Sequence, residues 1–273
     1  VFLTDAGRRR PRCCRRRQIA LFLLFVSSTN GQCRMLPIGD SITAGGGPPS
    51  GSDEDAASYR HSLERIMLNH SIDFQFVGDV CRNCNLGSLW DSKCNLGCKL
   101  GRERDRFIGF WGWESSEILN GNGPSWSRMD GKGNDLKEMV DNIDFDVGIV
   151  HLGTNDLGRR RNPAYIVENL HGIVEILRNR NPSCTILLSK IIPISPAWRV
   201  DEAVNEFNKA LDEAVPAWNT TNSPIYVADC HTSFDIDQYT VDRVHPNEAG
   251  AEFMAQRFWS ILQRSAACSR VAS

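Results

Sequence analysis

No apolar stretch of this 273-residue chain reaches the roughly 18 residues that a membrane-spanning helix requires. No segment of about 20–50 residues recurs, which removes solenoids and propellers. A His-Glu-x-x-His zinc signature is absent, and so is the Gly-x-Ser-x-Gly elbow of the α/β-hydrolases. Charged residues make up only 23% of the chain and apolar ones 41%, a balance that excludes a disordered polymer.

What is present divides into a leader and a globular remainder. Arg8, Arg9, Arg10, Arg12, Arg15, Arg16 and Arg17 precede an apolar run from Ile19 to Val26, which ends in Ser27-Ser28-Thr29-Asn30. A basic segment, a short apolar core and a small-residue exit predict a secretory signal peptide over residues 1–30. A mitochondrial presequence would instead be Ser-rich and amphipathic. Residues 1–30 hold seven Arg and one Asp, a charge of +6; with the whole chain at −2, residues 31–273 carry −8. An acidic remainder repels phosphate backbones, so nucleic acid is not an expected partner.

Eight cysteines remain beyond the leader, an even number that predicts disulfides in a secreted chain. Four of them form Cys81-x2-Cys84-x9-Cys94-x3-Cys98, for which a nested Cys81–Cys98 and Cys84–Cys94 pairing competes with a zinc knuckle. Cys33 and Cys268, at the two ends of the domain, are a further candidate pair. The sequons at Asn69 and Asn219 accord with secretion and glycosylation.

Apolar runs alternate with helical patterns along residues 33–265. Strands are expected at Arg34–Gly39, Phe74–Val80, Asp146–Gly153, Cys184–Ile192 and Ile225–Asp229. Helices are expected at Tyr59–Asn69, Leu136–Ile143, Ala164–Arg178, Asp201–Val215 and Asn247–Gln263, with a Cys-rich surface insertion near 81–105 and a short tail at 266–273. Such alternation predicts one domain with a parallel sheet covered on both faces, whose chemistry gathers beyond the carboxyl ends of the strands.

Four segments sit at such ends. Gly39-Asp40-Ser41-Ile42-Thr43 would lift the Ser41 hydroxyl to the top of the sheet, although Asp-Ser there also suits a plain helix cap. In Asp242-Arg243-Val244-His245, a carboxylate three residues before an imidazole can fix its tautomer and leave the other nitrogen free as a base. Gly153-Thr154-Asn155-Asp156 offers an amide donor to a developing oxyanion. Gly112, in Gly109-Phe110-Trp111-Gly112-Trp113, offers a backbone N–H or, more plainly, a turn pinned by aromatics. Of the remaining histidines, His61, His70 and His171 read as surface or packing residues and His151 as buried. His231 is the rival base.

Taken in this order, the four segments resemble the blocks of the SGNH hydrolases, also called GDSL esterases, over about residues 34–264. The likeness runs most strongly to the family-three carbohydrate esterases of the acetylxylan esterase type. It includes Arg34–Thr43, Ser58-Tyr59-Arg60, Phe76-Val77-Gly78-Asp79, Gly112–Ile118 and His151–Asp156. The resemblance implies a three-layer α/β/α sandwich with a five-stranded parallel sheet and a flavodoxin-like order. It implies Ser41 as nucleophile, His245 as general base and Asp242 as its orienting partner, with an oxyanion hole from the Ser41 and Gly112 N–H groups and the Asn155 side chain. No metal or other cofactor is implied.

Two features depart from the family pattern: Trp111, where a small residue is usual, and the Cys81–Cys98 insertion. Asp40, Trp111 and Trp113 are the candidate substrate-binding residues, with Trp90, Trp126 and Trp198 as further aromatics expected at the cleft rim, since flat rings stack on sugars. The expected function is that of a secreted, monomeric serine esterase removing short acyl groups, acetyl above all, from carbohydrate. A GDSL lipase or phospholipase-like acylhydrolase and a non-catalytic glycan-binding protein on the same fold are the alternatives.

Overall fold

The computed structural model describes residues 32–45, 57–81, 106–124, 135–195, 197, 200–265, 267 and 268. The leader at 1–30, Cys84, Cys94 and Cys98, most of the insertion, and Trp90, Trp126 and Trp198 lie outside the described residues.

The central strand is β1 (Cys33–Gly39), a run buried along nearly its whole length. One side of it pairs with β5 (Val147–His151), followed by β6 (Thr185–Ser189) and β7 (Ile225–Ala228), all parallel. The other edge is shared between two short strands. β2 (Phe74–Phe76) pairs with Cys33–Met35, and β4 (Arg106–Gly109) pairs with Ile38 and Gly39, both in parallel. The expected five-stranded parallel sheet is thus present as β2-β1-β5-β6-β7, with β4 and a two-residue antiparallel partner, β3 (Val80–Cys81), extending it to seven. The strand expected at Phe74–Val80 is two short strands, β2 and β3, and between them Gly78 lies so close to the Phe107 backbone that no Cβ would fit.

Alternate side chains along β5 enter different cores. Val147 and Ile149 face one apolar cluster and Val150 the other, the period-two alternation of a strand buried on both sides. One helical layer is α2 (Tyr59–Asn69), started by a Ser58 cap on the Arg60 N–H, packed against α9 (Glu248–Ser265). The opposite layer holds α3 (Ser115–Asn120), α4 (Leu136–Val140), α6 (Pro163–Arg180) and α7 (Asp201–Trp218). Three very short helices, α1 (Ser41–Ala44), α5 (Thr154–Gly158) and α8 (Ile236–Tyr239), lie beyond the carboxyl ends of β1, β5 and β7. The result is the three-layer sandwich expected from the sequence.

A disulfide joins Cys33 at the start of β1 to Cys268 after α9, closing 235 residues. The even cysteine count overstated the pairing, however. Cys184 and Cys230 are buried free thiols, and they lie in different core clusters on the two faces of the sheet. Burial pushes the Cys230 thiol up to about 12, so both behave as small apolar core residues. Among the described residues no helix is long and apolar enough to cross a membrane, and no cluster of His, Cys, Asp and Glu could hold a metal ion.

Candidate active site

β1 delivers the first residue of the site. Gly39 ends the strand where a Cβ would collide with the Thr43 side chain and the His151 carbonyl, so only glycine lets the chain turn here. Asp40 then caps α1, its Oδ1 accepting the Ile42 N–H at 2.9 Å. Ser41 opens the helix. The α1 segment is fastened from behind by Arg60, fully buried, which lies over the Phe107 ring and donates to the Thr43 and Ala44 carbonyls at 2.8 and 3.2 Å.

Two hundred residues later, the turn between α8 and α9 brings the base. Asp242 Oδ1 accepts the backbone N–H groups of Val244 (2.9 Å) and His245 (2.7 Å), and Asp242 Oδ2 lies 2.6 Å from His245 Nδ1. The other ring nitrogen, Nε2, lies 2.9 Å from Ser41 Oγ. Serine, imidazole and carboxylate therefore form one hydrogen-bonded series, the arrangement that lets a hydroxyl become a nucleophile. Burial alone would raise the Asp242 carboxyl. The His245 ring, the two backbone N–H donors and the imidazole charge outweigh it and hold Asp242 at about 2. An ionised Asp242 can only accept, so Nδ1 carries the proton and Nε2 faces Ser41 as the acceptor.

The oxyanion candidates come from the next two strand ends. Gly109 pairs with Gly39, and the Phe110 N–H donates to the Gly39 carbonyl at 3.2 Å, so the 110–113 turn lies beside Ser41. Gly112 has φ 75°, a left-handed conformation that favours glycine. Asn155, in α5, donates from Nδ2 to the Trp113 carbonyl at 2.9 Å, which leaves its second amide proton uncommitted. Among the described residues nothing accepts the Ser41 or Gly112 N–H either. Three spare donors thus belong to the three strand ends gathered around Ser41.

Asp156 was not singled out from sequence, yet it fastens this wall. Its carboxylate accepts the Ser115 N–H at 2.9 Å and the Ser115 hydroxyl at 2.5 Å, and Asn169 donates to the same hydroxyl at 3.0 Å. Burial pushes Asp156 up to about 6 against these hydrogen bonds. Burial also pushes Asp40 up to about 7, opposed by the Ile42 N–H and by His245, while its Oδ2 finds no hydrogen-bond partner among the described residues.

The candidate substrate-binding residues divide. Trp111, 8% exposed, sets its ring 4.8 Å from the His245 ring, so it touches the base as a packing partner. Trp113 stacks on Phe110 at 4.3 Å and is 1% exposed, and Asp40 is wholly buried. Neither offers a surface to a sugar. The core position of β4 and the 110–113 turn draws both tryptophans inward, which residue type alone does not reveal. His151 is buried as expected, pushed down to about 4 by burial. The rival base His231 is lowered mainly by burial; its backbone N–H binds Asp229, whereas His245 alone reaches Ser41.

Residues 38–253 match the model of the GDSL-like Lipase/Acylhydrolase family. The chain is similar to a curated relative, the "Multidomain esterase" of Ruminococcus flavefaciens, at 23% identity over 245 residues. The match covers 86% of this chain but 29% of the relative, so the chain spans under a third of that protein's length. Among solved structures it is similar to an acetyl esterase mutant with acetate ion, at TM-score 0.65 and 23% identity, covering 88% of this chain and all of the other. A carbohydrate esterase family 3 protein from Talaromyces cellulolyticus follows at TM-score 0.64 and 23% identity, over 86% and 98% of the two chains. The Clostridium thermocellum family 3 carbohydrate esterase superposes at TM-score 0.62 and 19% identity, over 89% and 100%. At these identities the structures speak for the fold. The family match spans well over half of the sequence, and the chain belongs to the GDSL-like lipase/acylhydrolase family.

Proposed function

We propose that the protein is a secreted serine esterase that removes short acyl groups, acetyl above all, from carbohydrate. The observation that carries this reading is the unbroken series from Asp242 Oδ2 through His245 to Ser41 Oγ, at 2.6 and 2.9 Å, beside three spare N–H donors. In the reaction, Ser41 Oγ passes its proton to His245 Nε2 and attacks the ester carbonyl carbon. The carbonyl oxygen gains negative charge and takes hydrogen bonds from the Ser41 and Gly112 N–H groups and the Asn155 amide. When the tetrahedral centre collapses, the imidazolium protonates the departing sugar oxygen and leaves acyl-Ser41. His245 then takes a proton from water, the resulting hydroxide attacks the acyl carbon, and acid and free serine are released. Asp242 stays ionised throughout and stabilises the imidazolium.

Carbohydrate esterases among the similar structures support a sugar ester, and the acetate in one of them supports a short acyl group. A long acyl chain needs an extended apolar groove. The exposed large apolar residues among those described are Leu68 on α2, Tyr165 on α6 and Val241 on the turn before Asp242, three single residues far apart in the sequence. The Cys33–Cys268 disulfide supports secretion, because such bonds persist in oxidising compartments. The test is acetate release from acetylated xylan, with Ser41→Ala as control. Release abolished by the substitution is the expected result. Ser41-dependent cleavage of an aryl acetate without release from xylan would overturn that polymer and keep the mechanism.

A further inference from the structure

The stretch from α5 to Arg161 grips the segment 112–117 at successive residues. Asn155 takes the Trp113 carbonyl and Asp156 the Ser115 N–H and hydroxyl. The remaining grip comes from Arg159, the residue that ends α5. Its Nη2 donates to the Gly112 carbonyl at 2.9 Å and its Nη1 to Glu114 Oε1 at 2.8 Å, with both Glu117 oxygens at 3.3 Å. Glu114 is 1% exposed, and a second guanidinium, Arg161, donates Nε to its Oε2 at 2.8 Å. Glu114 also begins α3 through a reciprocal capping box with Glu117.

A carboxylate buried this deeply is costly unless charged donors meet it, and removing one of them strands the charge. Two arginines meet Glu114, and the fork of one also reaches a peptide carbonyl. That carbonyl belongs to the glycine with the positive φ. Glycine without restraint swings through both halves of the backbone map, and each swing would turn its N–H away from the ester or its carbonyl toward it. Holding the Gly112 carbonyl fixes the 112–113 peptide and holding the Trp113 carbonyl fixes the next. The 111–112 peptide, which carries the Gly112 N–H, is held between them and the Phe110 anchor on Gly39. The planar guanidinium can hold a carbonyl and a carboxylate at once; an ammonium is a point charge without that fork.

We propose that Arg159 is a positioning residue for the oxyanion hole. Braced by Glu114, and on the same short segment that carries Asn155, it holds the Gly112 carbonyl and through it restrains the preceding peptide, so that the Gly112 N–H stays aimed at the ester carbonyl. The proposal rests on the oxyanion assignment made under Proposed function.

Two variants test it: Arg159→Lys, which keeps a charge beside Glu114, and Arg159→Met combined with Glu114→Gln, which removes the buried charge together with one of its two arginine partners. Each is assayed with an aryl acetate well below its melting temperature and titrated with an alkyl boronic acid, which forms a tetrahedral adduct on Ser41. Asn155→Ala is run alongside. The expected result is a fall in kcat of about 10-fold or more with KM within about twofold, and a matching loss of boronate affinity, the pattern of an interaction made only in the transition state. A merely structural arginine would lower the melting temperature and leave both readouts unchanged. Unchanged kcat in folded Arg159 variants, with Asn155→Ala impaired, would overturn the positioning role alone. Silence of Asn155→Ala as well would overturn the oxyanion assignment and the proposal with it. Should the double variant fail to fold, Arg159→Lys decides.

Discussion

The two halves of the proposed catalytic site are built differently. The acid–base half is a surface turn closed by its own short-range hydrogen bonds, with the Trp111 ring packed on His245. The Val241 N–H binds the His245 carbonyl at 2.9 Å, Asn247 N–H binds the Tyr239 carbonyl at 3.0 Å, and Arg243 takes a left-handed φ of 68° at its tip. Asp242 and Arg243 are exposed. The oxyanion half is a buried wall joined by contacts spanning more than 40 residues of sequence, from Asn155 to Trp113 and from Asp156 to Ser115. The difference follows the work of each half. A proton carrier has to meet water and substrate, and its geometry needs one local hydrogen bond to set the tautomer. Donors that stabilise a developing charge act only if they stand in place beforehand, so they need a rigid surround.

Substitutions can break this contrast in order of size. Ser41→Ala removes the group common to both halves and should lower kcat by about 10⁶-fold. Its melting temperature should stay close to that of the unaltered protein, because the lost hydroxyl binds only His245 among the described residues. Asp242→Asn, on the exposed turn, should cost about 10⁴-fold in kcat by disturbing the imidazole tautomer. The stability it forfeits is that of a carboxylate held at about 2, a loss seen above about pH 4 that fades as pH falls toward 2. Asn155→Ala should cost about 10²–10³-fold in kcat, and here stability should fall too, since the Trp113 carbonyl loses its donor. Steady-state kinetics paired with melting curves for the three variants would separate the halves. Stability losses at Asp242 and Asn155 with the same dependence on pH would erase the distinction.

A smaller effect concerns the buried carboxyl between the halves. Asp40 is raised to about 7 in the folded protein, against about 3.9 in an unfolded chain. The folded state therefore holds its proton more tightly, and the stability present below about pH 4 is lost as pH rises toward 7. Asn keeps the shape and the Oδ1 that caps Ile42 but cannot ionise. Asp40→Asn should melt with the unaltered protein near pH 4 and above it by a margin that grows up to about pH 7. His151 is lowered to about 4 and contributes the opposite slope, but it does so in both proteins and cancels in the difference. A constant margin across this range would show that Asp40 is not the buried acid described here.

The legible parts of the molecule were those in which neighbours in sequence are neighbours in space. β1, β5, β6 and β7 read directly as apolar runs because a parallel sheet buries both faces of its strands. Asp242 and His245 share one turn, so their pairing shows in the spacing. β4 escaped notice because four residues after a polar insertion carry too little pattern, and α5 because it is barely more than a turn. Arg159 and Glu114 lie 45 residues apart and meet only through the sheet. Trp113 illustrates the opposite error, a residue suited to sugar stacking that the fold spends on its core.

In the proposed mechanism Ser41 forms the covalent acyl intermediate. Intact-mass and peptide-mass spectrometry after treatment with a fluorophosphonate tests it most directly, run on the unaltered protein, Ser41→Ala and His245→Ala. A single adduct is expected on the peptide containing Ser41, absent in Ser41→Ala and formed far more slowly in His245→Ala. An adduct on another serine, or aryl acetate hydrolysis that persists undiminished in Ser41→Ala, would contradict it.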